Sequence, residues 1–147
     1  IGFTTGHEGL ENADDDRENV YTDPADAARF VADTGIDALA ASVGTVHGFY
    51  QAEPKLDFER IAELKRVCGV PLVMHGGSGL SRGDTRAAIA AGIRKINYFS
   101  YMSNAGVRAV EALIAEQHPK YFHALANAAT KAMQADAESA MEMFSMK

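Results

Sequence analysis

Two histidines of this chain are each followed by glycine, and each stands where a strand pattern ends. His47 lies in Gly44-Thr45-Val46-His47-Gly48 and His75 opens His75-Gly76-Gly77-Ser78-Gly79; Asn97 closes a third strand pattern. A lone histidine at such a place is more often a hydrogen-bonded structural residue than a ligand. Two at equivalent strand ends, each with a glycine after it, reverse that expectation. Imidazole is a good ligand for Zn²⁺ and similar divalent ions, and glycine beside a ligand lets a substrate approach the backbone without meeting a Cβ. The Gly76-Gly77-Ser78-Gly79 run offers unhindered N–H groups and a hydroxyl just before a helix expected to begin near Ser81, an arrangement that favours a dianion such as phosphate. Glycine-rich turns are common, so this run gains its weight from the strand and the histidine in front of it.

Elements in fixed alternation must bring these residues together. From residue 20 onward, helix and strand patterns alternate with short links, the sequence form of repeated βα units around a parallel sheet. Asp23 before Pro24 reads as an N-cap and first helical residue, Ala27, Phe30 and Val31 give an apolar face, and Gly35 closes the helix. Ile36 to Val43 is almost continuously apolar, which predicts a strand covered on both sides. The unit recurs from Asp57 through Gly69 to a strand over Val70–Met74, and again from Ser81 through Gly92 to a strand over Ile93–Phe99. Ser81 and Asp84 resemble a capping box. A helix over 104–117 with Val107, Val110, Leu113 and Ile114 on one face follows, and Pro119 separates it from a last helix over about 120–144. Phe122, Leu125, Met133, Met141 and Phe144 read as that helix's packing stripe. In an α/β barrel, loops at the C-terminal ends of the strands gather the catalytic groups, which is where both histidines and Asn97 fall.

Composition limits the alternatives. The 147 residues are 47% hydrophobic and 23% charged, a balance suited to a globular core. A net charge of −6 without a Lys/Arg block speaks against a nucleic-acid partner. No stretch approaches the roughly twenty apolar residues of a membrane span, and nothing resembles a signal peptide, so a cytoplasmic protein is expected. The single cysteine, Cys68, sits on an amphipathic helix pattern and reads as a buried, inert thiol. The acidic run Glu11, Asp14, Asp15, Asp16 and Glu18 reads as a solvated loop. His7, His118 and His123 lack the glycine and the strand-end position, and read as surface or packing residues.

Taken together, Gly44-Thr45-Val46-His47-Gly48-Phe49-Tyr50 with Pro54 and Leu56, His75-Gly76-Gly77-Ser78-Gly79, and Lys95-Ile96-Asn97 resemble the class II fructose-bisphosphate and tagatose-bisphosphate aldolase family. The resemblance runs from Ile1 to the last helix. It implies an α/β (β/α)₈ TIM barrel of which residues 1–147 are the C-terminal half, from the end of strand five through strand eight and the closing helices. It implies metal-dependent cleavage of a ketose phosphate to dihydroxyacetone phosphate and an aldehyde, in carbohydrate metabolism, by a homo-oligomer (dimer or tetramer). His47 and His75 become two of three histidine ligands to Zn²⁺ or another divalent metal. Gly48, Gly76, Gly77, Ser78 and Ser100 become the phosphate site, and Asn97 a substrate contact near the reacting carbons. Backbone carbonyls around Gly48 and Gly76 are expected to hold a monovalent cation. The opening Ile1-Gly2-Phe3-Thr4-Thr5-Gly6-His7-Glu8 is similar to the family's mobile loop, which makes Glu8 the proton-moving glutamate. The chemistry is coherent: breaking a carbon–carbon bond beside a ketone leaves negative charge that a Lewis acid stabilises.

Two departures bear on specificity. Fructose-bisphosphate members carry Asp two residues and Arg six residues after the asparagine, whereas this chain has Phe99 and Ser103. The third metal histidine and the acid Asp of the family belong to its N-terminal half. Two other readings stay open: a Schiff-base aldolase using Lys95, which shares a strand face with Asn97, and a non-catalytic sugar-phosphate-binding or accessory subunit.

Overall fold

A computed structural model describes Gly2, residues 21–50 and residues 53–146. Glu8, His7 and the acidic run lie outside the described residues. The chain divides into two compact units, Ile1–Tyr98 and Phe99–Lys147.

The first unit holds three helix–strand repeats. Helix α1 is Pro24–Thr34, and Asp23 caps it by accepting from the N–H groups of Ala25 and Asp26 at 2.9 and 3.0 Å. Gly35 ends it in the left-handed conformation. Helix α2, Phe58–Cys68, starts at Asp57, whose carboxylate takes the Arg60 N–H and also meets its guanidinium; Gly69 ends it. Helix α3, Arg82–Ala91, has the reciprocal cap expected: the Asp84 N–H donates to Ser81 Oγ, and that hydroxyl donates to the Asp84 carboxylate. These ends are local chemistry, in which a side-chain oxygen satisfies orphan N–H groups and glycine reverses the chain.

The strands are β1 (Leu39–Ala40), β2 (Leu72–Met74) and β3 (Ile93–Ile96), parallel and in the order β1-β2-β3. All three are shorter than the strand patterns that contain them. Apolarity marks burial, whereas a strand needs a ladder partner, and the ladder does not follow every buried residue. Ala41 and Val43 are buried although they lie beyond β1, while Ala40 is exposed, so the strand is not covered on both sides among the described residues. Beyond β1, Thr22 takes over the pairing: its N–H donates to Ser42 O and its hydroxyl accepts from Ser42 N–H. A bulge between Leu72 and Val73 sets Val73 opposite Lys95 and Met74 opposite Ile96. Val43, Ile61, Leu64, Leu72, Met74 and Ile93 are fully buried between helices and sheet. Burying each such side chain contributes about 1.5–3 kcal/mol, so the strand ends sit on a stiff base. Cys68 is in this core, and burial pushes its thiol pKa up, as an inert thiol requires. Phe30, expected on the inner face of α1, is 40% exposed.

The second unit is a helix pair, α4 (Ser100–Gln117) and α5 (Phe122–Phe144). Helix α4 starts four residues before the expected 104, and His118, in the left-handed conformation, ends it ahead of Pro119. The helices meet where Gly106 faces Met133: a Cβ at Gly106 would stand 3.0 Å from Met133 Cγ. Val110 and Leu113, on the Gly106 side of α4, are half-buried, whereas Val107 and Ile114 are exposed, together with Phe122 and Met141 of the α5 stripe. Periodicity fixes a helix but not which of two adjacent apolar stripes meets the neighbour. No described helix is long and apolar enough to cross a membrane.

Candidate functional site

The parallel ladder delivers His75 and Asn97 together. His75 directly follows β2 and Asn97 directly follows β3, and the Asn97 N–H donates to Met74 O at 2.9 Å, extending the β2–β3 pairing by one bond. The Asn97 side chain thereby reaches the imidazole, with Nδ2 at 3.1 Å from each ring nitrogen of His75. An amide nitrogen donates, so it serves whichever ring nitrogen carries the lone pair. The amide oxygen of Asn97 accepts from Lys95 Nζ, which confirms that Lys95 and Asn97 share a face. Lys95 itself is exposed.

His47 arrives by a different route. It lies well beyond the end of β1, on a loop anchored by Asp57 N–H to Val43 O at 3.1 Å and by close packing of Gly44 on Lys55 O. Tyr21 adds a tie, its hydroxyl donating to the same Lys55 carbonyl at 2.9 Å. The loop returns His47 to His75: the ring centres are 5.4 Å apart and the planes meet at 73°.

This spacing suits a shared ion. An ion held tetrahedrally about 2.1 Å from one nitrogen of each ring, with the ring centres just over 1 Å further on, puts those centres roughly 5.2–5.4 Å apart. Two neutral imidazoles are also the right donors for Zn²⁺ and its neighbours. Among the described residues no third His, Cys, Asp or Glu completes the set. The pair fits a divalent metal as part of a ligand set, and does not by itself make a closed site.

The glycines beside the histidines have an internal reason as well as the expected one. A Cβ at Gly76 would stand 2.1 Å from Val46 O, and a Cβ at Gly77 would stand 2.3 Å from Ile96 Cγ2. The His75 loop is therefore wedged between the His47 loop and the end of β3, and side chains there would push the two imidazoles apart. Ser78 is 5% exposed and lies three residues before Ser81, the cap of α3. Gly48 follows His47 in the left-handed conformation. Ser100 is the first residue of α4, in the second unit, and is buried.

Tyr50 was legible only as part of a string. Its hydroxyl donates to Gly76 O at 2.8 Å and lies 3.4 Å from Val46 N. The one sequence signal was an aromatic hydroxyl three residues after a glycine-flanked histidine. His118 caps α4 and His123 stacks on Tyr121 at 5.7 Å, the structural roles expected of both.

A parallel sheet with helices between its strands, His75 at the end of one strand and His47 on the loop after another, is the architecture of an α/β protein with its site at the C-terminal edge of the sheet. The chain belongs to the class-II fructose-bisphosphate aldolase family, whose sequence profile matches residues 1–147. The crystal structure of the YdjI aldolase from Escherichia coli K12 is similar, with 38% identity and a TM-score of 0.73 over 85% of this chain and 46% of that one. A candidate fructose-1,6-bisphosphate aldolase from Coccidioides immitis is 31% identical, with a TM-score of 0.81 over 99% of this chain and 50% of that one. The fold of a fructose-bisphosphate aldolase from Campylobacter jejuni also matches, with 22% identity and a TM-score of 0.72 over 86% and 46%. The chain spans about half the length of these solved relatives.

Proposed function

We propose that this chain carries the metal- and phosphate-binding half of an aldolase that cleaves a ketose phosphate into dihydroxyacetone phosphate and an aldehyde, and joins them in reverse. The observation that carries this reading is the His47–His75 pair, 5.4 Å apart beside the glycine run at the start of α3. Family membership and the likeness to the YdjI aldolase support it. Residues 1–147 would form the C-terminal half of one (β/α)₈ barrel, which the parallel order β1-β2-β3 and the half-length match support. The remaining metal ligand and the acid group would come from outside the described residues, and the whole would assemble as a homo-oligomer.

In this reading His47 and His75 hold a divalent ion, which when bound supplies Lewis-acid stabilisation of the charge left beside the ketone. Ser78 and the N–H groups of Gly76 and Gly77, with Gly48, fix the phosphate, so that the carbon chain has one place to lie. The Asn97 amide, held by Lys95 through its oxygen, gives up the His75 lone pair when that nitrogen takes the ion, and its Nδ2 is then turned to the reacting carbons. Glu8 moves the proton on dihydroxyacetone phosphate.

The test is cleavage by the intact protein before and after exhaustive chelation. Activity should vanish and return with added Zn²⁺ or Co²⁺, and borohydride should trap no substrate on Lys95. Full activity without metal would sink the proposal.

A further inference from the structure

We propose that the Tyr50 hydroxyl is the positioning group that holds the two histidine loops at metal-binding distance. This deepens the function proposed above and rests on it. The need for such a group follows from the sheet. Beyond β1 the Ala41 N–H still donates to Val73 O, at a long 3.4 Å. His75 begins directly after β2, but His47 lies several residues further along its own chain, past the reach of the ladder. Sheet hydrogen bonds therefore do not set the distance between the imidazoles.

Tyr50 supplies a tie at the right place. Its hydroxyl donates at 2.8 Å to the carbonyl of Gly76, the residue after His75, and stands 3.4 Å from the N–H of Val46, the residue before His47. The first contact is a full hydrogen bond and the second is at the long limit, so most of the tie is the bond to Gly76. The ring is half-buried and packs against the core, which fixes where the hydroxyl can be. Between the same two loops, Gly76 lies against Val46 O so closely that a Cβ there would stand at 2.1 Å. Contact keeps the loops from closing further, and the hydroxyl keeps them from drifting apart. The two together define a distance, where either alone would give only a limit.

Groups that orient metal ligands from behind typically change affinity by 10–100-fold when removed. Tyr50 acts through the backbone beside each ligand, so Tyr50→Phe should weaken metal binding by roughly tenfold, the lower end of that range. Zn²⁺ affinity of the intact protein is measured by competition with a chromogenic chelator for wild type, Tyr50→Phe, His47→Ala and His75→Ala. Urea unfolding of the metal-free proteins is measured alongside. The expected result is a weakened Zn²⁺ affinity in Tyr50→Phe, with kcat/KM low at limiting metal and recovered at excess metal. A role in packing alone would lower metal-free stability and leave affinity unchanged; that outcome overturns the proposal. If neither histidine variant alters Zn²⁺ binding, the metal site itself is misassigned, a failure distinct from Tyr50→Phe binding normally while the histidine variants do not. Should Tyr50→Phe fail to fold, 3-fluorotyrosine at position 50, assayed well below the pKa of its phenol, keeps the ring and makes the hydroxyl a stronger donor. Unchanged Zn²⁺ affinity in that protein also overturns the proposal, and an altered affinity supports it.

Discussion

Adding one methyl group at Gly76 should damage the site far more than the fold, and the size of both effects can be worked from the structure. Gly76 has a φ of 66°, where an L-residue costs about 1–2 kcal/mol. Its new Cβ would also stand 2.1 Å from Val46 O, and an ordinary C···O contact needs at least about 3.3 Å, so the two loops must separate by roughly 1.2 Å. Functional groups tolerate displacements of only about 0.5 Å, and a misplacement near 1 Å can cost on the order of a hundredfold in rate. Gly35 is the control. It has a φ of 64° at the end of α1, and a Cβ there would meet nothing within 4 Å. Gly35→Ala should therefore lose about 1–2 kcal/mol of stability and keep its metal affinity and kcat/KM. Gly76→Ala should lose at least that much stability and, in addition, about a hundredfold in kcat/KM with weaker Zn²⁺ binding. The assays are urea unfolding, chelator competition and steady-state cleavage on the intact protein. Equal metal affinity and equal kcat/KM in the two variants would refute the claim that loop contact sets the histidine spacing.

The resemblance to the family puts Phe99 and Ser103 where fructose-bisphosphate members carry Asp and Arg, and under the proposed function that would remove charge-assisted contacts worth about 1.5–3 kcal/mol each. Another ketose phosphate, such as tagatose 1,6-bisphosphate or a deoxy sugar phosphate, should be cleaved with the higher kcat/KM; a tenfold preference for fructose 1,6-bisphosphate would show the argument wrong. Residues 1–147 expressed alone should oligomerise or aggregate, because β3 is paired on one side only among the described residues; a monomer with a sharp cooperative melt contradicts this. Cys68 should resist alkylation at neutral pH until the protein unfolds, because burial disfavours the thiolate; rapid labelling of the folded protein would show the helix packing to be wrong.

The sequence alone determined what depends on neighbours along the chain. Asp23-Pro24, Asp57 and the Ser81–Asp84 pair are caps because their side chains reach N–H groups two or three residues away, and Gly35, Gly69 and Gly92 close helices because the preceding turn presents carbonyls to them. The His75 string was legible for a similar reason, since β2 ends directly before it, whereas His47 lies on a loop well beyond β1 and was legible only from its own string. Tertiary structure decided everything that depends on a partner far along the chain. The strand lengths follow from where ladder bonds form, so Ala41 to Val43 lie outside β1 although they are buried. The close contact of Gly106 with Met133 joins α4 to α5, and which residues beside it are covered is something no periodicity in α4 can state. The 5.4 Å between His47 and His75, the wedge at Gly76 and the Tyr50 bond join loops on different strands, and each is a distance across space that no residue spacing encodes.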